Sequence, residues 1–118
     1  MPQSKREAPP KLLSSLGLCA RARALVLGTP MVCEALRASG KQKPLLVLEA
    51  SDTSAATHKR LTDKCNTYAT RHIRLAYDGK TLAAALGKSA SLAAVAICDE
   101  NFCRMIDACL AAIEQNKQ

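Results

Sequence analysis

Three short apolar runs punctuate the chain: Leu25-Val26-Leu27, Leu45 to Leu48, and Leu92 to Ile97. The last two are continuous rather than alternating, the pattern of strands covered on both faces. A fourth segment, residues 71–75, alternates basic and apolar side chains, as a half-exposed strand does. The stretches between repeat their apolar residues at helical spacing. Lys11 to Arg23 places Leu12, Leu13, Leu16 and Cys19 or Ala20 on one face. A second helix is predicted from Thr29 to about Ser39, with Thr29 as N-cap, Pro30 in the first turn and Gly40 as the stop. Its inward residues are Val32, Leu36 and Cys33 or Ala35. After a basic turn, Lys41 to Pro44, and the second run, any of Ser51, Asp52, Thr53 and Ser54 could cap a helix reaching Tyr68. Leu61, Cys65 and Tyr68 form its buried side. Asp78-Gly79 reads as a turn before a short helix, Lys80 to Leu86, and Asp99 caps a last helix to about Glu114. The order α-β-α-β-α-β-α-β-α predicts an α/β fold, a three-layer α-β-α sandwich with helices on both faces of a four-stranded sheet.

At 118 residues this is one domain by length, expected over residues 11–118 behind a disordered basic tail, residues 1–10. With no Trp, one Phe and two Tyr, the core must be built from Leu, Val, Ile, Ala and Cys. That scarcity also disfavours a single-strand binder, which stacks bases on aromatic rings. Seventeen Lys and Arg against ten acids leave a net charge of +7, which points to a polyanionic partner, structured RNA first. The six cysteines show no C-x-x-C spacing, so they read as small core hydrophobes of a reducing compartment rather than zinc or redox ligands. Met1 to Lys11 lacks an apolar core and no run of about eighteen apolar residues occurs, so no leader, no membrane partner and a cytoplasmic location are expected.

Chemistry-bearing motifs are sparse. Neither a G-x-G-x-x-G nor a G-x-x-x-x-G-K-[ST] loop is present. His58 and His72 sit among basic residues with no carboxylate partner in sequence, and read as surface or RNA-facing. Asp99-Glu100 is explained by helix capping. The expectation is a non-enzyme without cofactor or metal. One constellation stands apart, Gly28-Thr29-Pro30-Met31, where a strand turns into a helix start whose free amides attract phosphate. The turn at Ser51-Asp52 and the loop Lys88-Ser89-Ala90-Ser91 could share its end of the sheet, and plain capping is the alternative for all three.

Three segments, LLSSLGLCARARALVLG, ASDTSAATHKRLTDKCNTY and LGKSASLAAVAICDENF, in this order and spacing resemble the ribosomal L-seven-Ae superfamily, in its bacterial YlxQ-type branch. The resemblance spans about residues 11–110. It implies a mixed four-stranded sheet and binding to kink-turn RNA, with ribosome or ribonucleoprotein association. It further implies that the helix after the first strand enters the kink while the loop before the last strand packs on an extruded base. The family's Gly-Thr-Asn-Glu signature would fall on Gly28, Thr29, Pro30 and Met31, its usual Lys on Glu34, its loop acid on Asp52, and its base-packing loop on Lys88, Ser89, Ala90 and Ser91. Pro30 and Met31 have no side-chain donor for a guanine edge, and Glu34 places a negative charge where a cation is usual. Each lost base contact weakens discrimination by about 1–3 kcal/mol. Phosphate positioning by backbone amides survives such changes.

Two functional readings follow. The first is a structured-RNA binder, of rRNA or kink-turn RNA, acting as a monomer near ribosomal proteins, with Gly28, Thr29, Pro30, Met31, Glu34, Arg37, Ser51, Asp52 and residues 88–91 at the interface. The alternative is a protein-interaction module on the same fold that has lost base-specific reading. The two differ in whether Arg37, Lys41, Lys43, Lys59 and Lys88 gather around Thr29.

Overall fold

The layering follows from the parity of two strands that are buried on both sides. In the computed structural model, which describes residues 10–38 and 43–116, β2 (Leu46–Glu49) and β4 (Ala94–Ile97) are buried at every position. Leu46, Leu48, Val95 and Ile97 face one way, against α1 (Lys11–Arg21), α4 (Gly79–Ala85) and α5 (Glu100–Asn116). Val47, Ala94 and Ala96 face the other, against α2 (Thr29–Leu36) and α3 (Ala55–Thr67). Because successive side chains of a strand point to opposite faces, two apolar cores need strands apolar throughout. The flanking strands, β1 (Leu25–Leu27) and β3 (Arg71–Arg74), are only partly buried, as edge positions allow.

The sheet order is β1-β4-β2-β3. β4 is antiparallel to both neighbours, while β2 and β3 are parallel, with Val47 opposite His72 and Glu49 opposite Arg74. The sheet is therefore mixed, and the α-β-α sandwich expected from the alternation is the observed architecture. The C-terminal ends of β1, β2 and β3 and the N-terminal end of β4 all lie on one rim.

Two predicted starts hold, Ser54 from among its four candidates and Asp99, while Asp78, read as part of a turn, caps a helix that begins at Gly79 rather than Lys80. Ser54 Oγ accepts from Thr57 N at 3.1 Å, Asp78 Oδ1 from Thr81 N at 2.8 Å and Asp99 Oδ1 from Phe102 N at 3.0 Å. The second helix differs. Gly28, not Thr29, takes the cap position, because its carbonyl accepts the first intrahelical bond from Val32 N at 2.9 Å. Its φ of 90° turns β1 into α2 at a conformation natural to glycine. Thr29 thus becomes the first helical residue, with Oγ1 buried and without a hydrogen-bond partner among the described residues. α2 ends at Leu36, and the predicted stop at Gly40 lies outside the described residues, as do Ser39, Lys41 and Gln42.

Two helices close on non-glycine residues in the left-handed region. Arg23 (φ 60°) follows α1, with Ala24 N donating to Cys19 O at 2.9 Å. Ala69 (φ 54°) follows α3, with Thr70 N donating to Cys65 O at 2.9 Å. Both are six-to-one closures that satisfy carbonyls otherwise orphaned at a helix end. β4 begins later than the apolar run suggests because the Leu92 amide turns away to Gly79 O, 3.1 Å, instead of joining the ladder.

Candidate nucleic-acid interface

Strand direction brings three separated segments of the sequence to the same rim. Gly28 N donates to Ala94 O and Ala50 N to Ala93 O, each at 2.8 Å, so the exits of β1 and β2 both flank the entrance of β4. The segment Lys88–Ser91, which leads to that entrance, is exposed throughout. Gly28 to Met31, Ser51-Asp52 and residues 88–91 are therefore neighbours on one rim, although more than sixty positions separate the first from the last. At the start of α2 the amides of Thr29 and Met31 precede the first intrahelical bond and have no partner within the helix, and Pro30 has no amide proton. Pro30 and Met31 are exposed, Met31 by 59%, so the helix tip opens outward.

Hydrogen bonds tie two of these segments together through α4. Asp52 Oδ1 accepts from Gly79 N at 2.9 Å, and Ser51 N donates to Tyr77 O at 2.8 Å. Gly79 O in turn holds Leu92 N. Gly79 is so closely covered that a Cβ there would lie 2.8 Å from Leu92 O and overlap Ser91 Oγ. Asp52 and Asp78, the acids of this region, both accept from backbone amides at the start of α4. Thr81 N and its hydroxyl hold the Asp78 carboxyl below its ordinary value.

The cations are arranged differently from the expected ring. Lys88 and Lys80 are exposed on the rim or in the first turn of α4. Arg37 lies at the far end of α2, about 12 Å along the axis from Thr29. There it stands 3.8 Å from Glu34, so the negative charge at Glu34 has a local partner. Lys43 donates to Tyr68 O at 3.0 Å, at the opposite end of the sheet, and Lys59 pairs with Asp63 at 2.8 Å along α3. Lys41 lies outside the described residues.

The structure also corrects the reading of the two histidines. Glu49 ends β2 with its side chain fully buried, and both imidazoles converge on it. His58 Nδ1 lies 2.9 and 3.0 Å from the two carboxylate oxygens, and His72 Nε2 lies 2.8 Å from Oε1. The Thr53 hydroxyl donates to Oε2, and Arg74 Nε stands 3.7 Å from the same oxygen. Burial pushes the Glu49 carboxyl up, but the hydrogen bonds from Thr53, His58 and His72 outweigh it and hold the group below its ordinary value. The physical reason for the error lies in register. Glu49 pairs with Arg74, and Val47 with His72, so a contact between residues 49 and 72 exists only once β2 and β3 are aligned. The legible signal was a charged residue closing an apolar run, because a buried carboxylate requires charged or hydrogen-bonding partners.

Cys19 and Cys65 are buried and pushed up to about 11 by that burial. Among the described residues, no group of three or more His, Cys, Asp or Glu could hold a metal ion, and no helix is long and apolar enough to cross a membrane.

No protein-family profile matches the chain. Over 87 residues it is 36% identical to the RNA-binding protein YlxQ of Bacillus subtilis (strain 168), covering 74% of this chain and 82% of that protein. A Bacillus halodurans protein of unknown function has a similar solved structure, with a TM-score of 0.76 at 32% identity, covering 87% of this chain and 99% of that one. The Giardia lamblia 15.5kD RNA binding protein shares the fold, with a TM-score of 0.70 at 16% identity over 89% of this chain and 86% of that one. The extent and identity of the match to YlxQ bear out the resemblance to the YlxQ-type proteins, and the chain belongs to the YlxQ family.

Proposed function

We propose that this chain binds structured RNA of the kink-turn type through the rim formed by Gly28 to Met31, Ser51-Asp52 and Lys88 to Ser91. The observation that carries the reading is the open start of α2, where the Thr29 and Met31 amides have no intrahelical partner, flanked on the rim by the exposed segment 88–91. Backbone amides at a helix start receive phosphate without any side chain. The net charge of +7 and the name of the Bacillus subtilis relative support RNA as the polyanion. With Pro30 and Met31 in place of side-chain donors, affinity comes chiefly from phosphate and shape, and discrimination among base pairs is correspondingly weak.

Mobility-shift titrations with a kink-turn RNA and a plain duplex, each at two salt concentrations, test this. The kink-turn is expected to bind more tightly, and four phosphate contacts would lower affinity roughly 100-fold between 50 and 200 mM salt. No binding to either RNA at the lower salt overturns the proposal.

Two observations favour a second reading. Of the cations that would gather around Thr29, Arg37, Lys43 and Lys59 lie elsewhere. Met31 is exposed beside Val26, Ala35 and Ala38 in a shallow depression on the outer side of α2, rimmed by Glu34 and Arg37, a surface suited to another protein. Under that reading Met31→Lys abolishes a protein contact. Under the RNA reading it leaves RNA affinity equal or higher.

A further inference from the structure

We propose that Glu49 is the positioning residue of the RNA-binding rim, acting with Arg74 through the loop that joins β2 to α3; the proposal rests on the rim being the RNA surface. Glu49 touches no exposed part of the rim. Its side chain is fully buried one residue before Ala50, and every partner of its carboxylate belongs to the segment that follows or to β3.

Two sets of bonds fix the loop. From inside, Glu49 takes the Thr53 hydroxyl. From outside, the Arg74 guanidinium spans the loop's carbonyls, with Nη2 3.2 Å from Ser51 O and 3.5 Å from Thr53 O, and Nε 3.5 Å from Ala50 O. The same guanidinium lies 3.7 Å from the Glu49 carboxylate. A fork of donors facing several carbonyls is a geometry that arginine provides and lysine does not. The buried charge thus orients the cation that clasps residues 50–53.

The consequence travels along bonds already described. Asp52, set within that clasp, receives the Gly79 amide, and Gly79 O receives the Leu92 amide. The position of residues 88–91 therefore depends on a carboxylate that contacts none of them. The two imidazoles do not reach the loop. They bring His58 of α3 and His72 of β3 onto Glu49 and fill its remaining acceptor sites, which a buried carboxylate must have filled.

The groups around Glu49 are His72 and Arg74 from β3, His58 from α3, Thr53 from the loop, and the buried Cys65 thiol of α3. Glu49→Gln keeps the shape of the side chain, removes the charge that faces Arg74 and replaces one acceptor oxygen by a donor, so that the groups bonded to that oxygen lose an acceptor.

The test uses the full chain and combines RNA titration with amide hydrogen exchange. Glu49→Gln is expected to speed exchange at Gly79 and Leu92 while leaving Val47 and Ala96 in the sheet as protected as before. A role in overall stability alone would move all four together. Affinity for the kink-turn RNA is expected to fall about tenfold. Arg74→Lys should reproduce part of both effects, and the double variant should be no worse than Glu49→Gln, since the two residues act as a unit. Should Glu49→Gln fail to fold, Arg74→Lys and Thr53→Val carry the same measurements with the carboxylate in place.

Unchanged exchange at Gly79 and Leu92 overturns the proposal, as does faster exchange with unchanged RNA affinity. If the wild type binds neither kink-turn nor duplex RNA, the reading of the rim as an RNA surface falls. The exchange pattern then still decides whether Glu49 sets the rim.

Discussion

Replacing Gly79 by alanine should cost more than any helix-start glycine would on conformational grounds alone. Gly79 is the first residue of α4 and its φ is not left-handed, so the backbone accepts an L side chain. The obstacle is space. The added methyl would sit 2.8 Å from Leu92 O, where ordinary contact needs about 3.4 Å. Ser91 Oγ can rotate away, but the Leu92 carbonyl is backbone, so the segment must retreat by roughly 0.6 Å, the difference between those two distances. That movement stretches the Leu92 N to Gly79 O bond, now 3.1 Å. Overpacking of this kind costs about 1–3 kcal/mol and a weakened hydrogen bond about 1 kcal/mol. The stiffer unfolded chain returns about 0.4–1 kcal/mol. The net loss is about 2 kcal/mol, or a fall in Tm of about 8 °C for a domain of this size. Gly87→Ala is the control, because Gly87 has φ 75° and nothing within 4 Å of a Cβ. Its cost is conformational only, about 1 kcal/mol and about 4 °C. Thermal melts followed by circular dichroism read both. If Gly79→Ala melts with the wild type, or no lower than Gly87→Ala, the close covering of α4 by residues 91–92 is refuted.

Ala69→Gly should raise Tm by about 2–4 °C, because it relieves a left-handed alanine at the end of α3 by more than the glycine costs in the unfolded chain, a net of about 0.5–1 kcal/mol. A melt no higher than wild type contradicts this. Glu49 titrates below its ordinary value when folded, so its contribution to stability is complete above the unfolded value of about 4.3 and is lost as pH falls through the folded value. Urea unfolding between pH 6 and pH 3 should therefore show a steep loss of stability at the acid end that is shallower in Glu49→Gln, and equal slopes would count against the buried cluster. Cys19 and Cys65, pushed up to about 11 by burial, are expected to resist a thiol reagent at pH 8 until the chain is unfolded in urea, whereas Cys98, also raised by burial but partly open to solvent, reacts first. Mass spectrometry of partly labelled protein reads the order, and early labelling of Cys19 or Cys65 would refute it.

The elements were legible because their cause is local. The runs at residues 45–48 and 92–97 announce doubly covered strands, and the buried sides of α1 and α3, Leu12 to Cys19 and Leu61 to Cys65, repeat at helical spacing. The boundaries shifted where a distant group intervened. Ala94 O holds the Gly28 amide and moves the cap from Thr29 to Gly28, and Gly79 O draws Leu92 out of β4. Side-chain partnerships across strands were not legible. Glu49 meets His72 and Arg74 only through a parallel register, and Arg71 meets Asp107 of α5 at 2.8 and 3.0 Å across thirty-six positions. Resemblance supplied the mixed topology, since alternation alone does not reveal that β4 runs against its neighbours. Whether Lys43 and Arg37 stand near Thr29 was equally illegible, since only the topology shows that they are separated from it.

The insertion of β4 between β1 and β2 dictates an order of assembly. Leu25 has no strand to pair with until Ile97, seventy-two positions later, has been made. β2 and β3, by contrast, are joined by a single helix and can dock early, at low cost in loop closure. During synthesis the first strand and its helix must therefore wait, with Leu25 and Leu27 uncovered, for the penultimate element to slot into the centre. A chain cut before residue 94 would be left with β1 unpaired and apart from the β2-β3 pair, so apolar strand edges stay uncovered until β4 has been made.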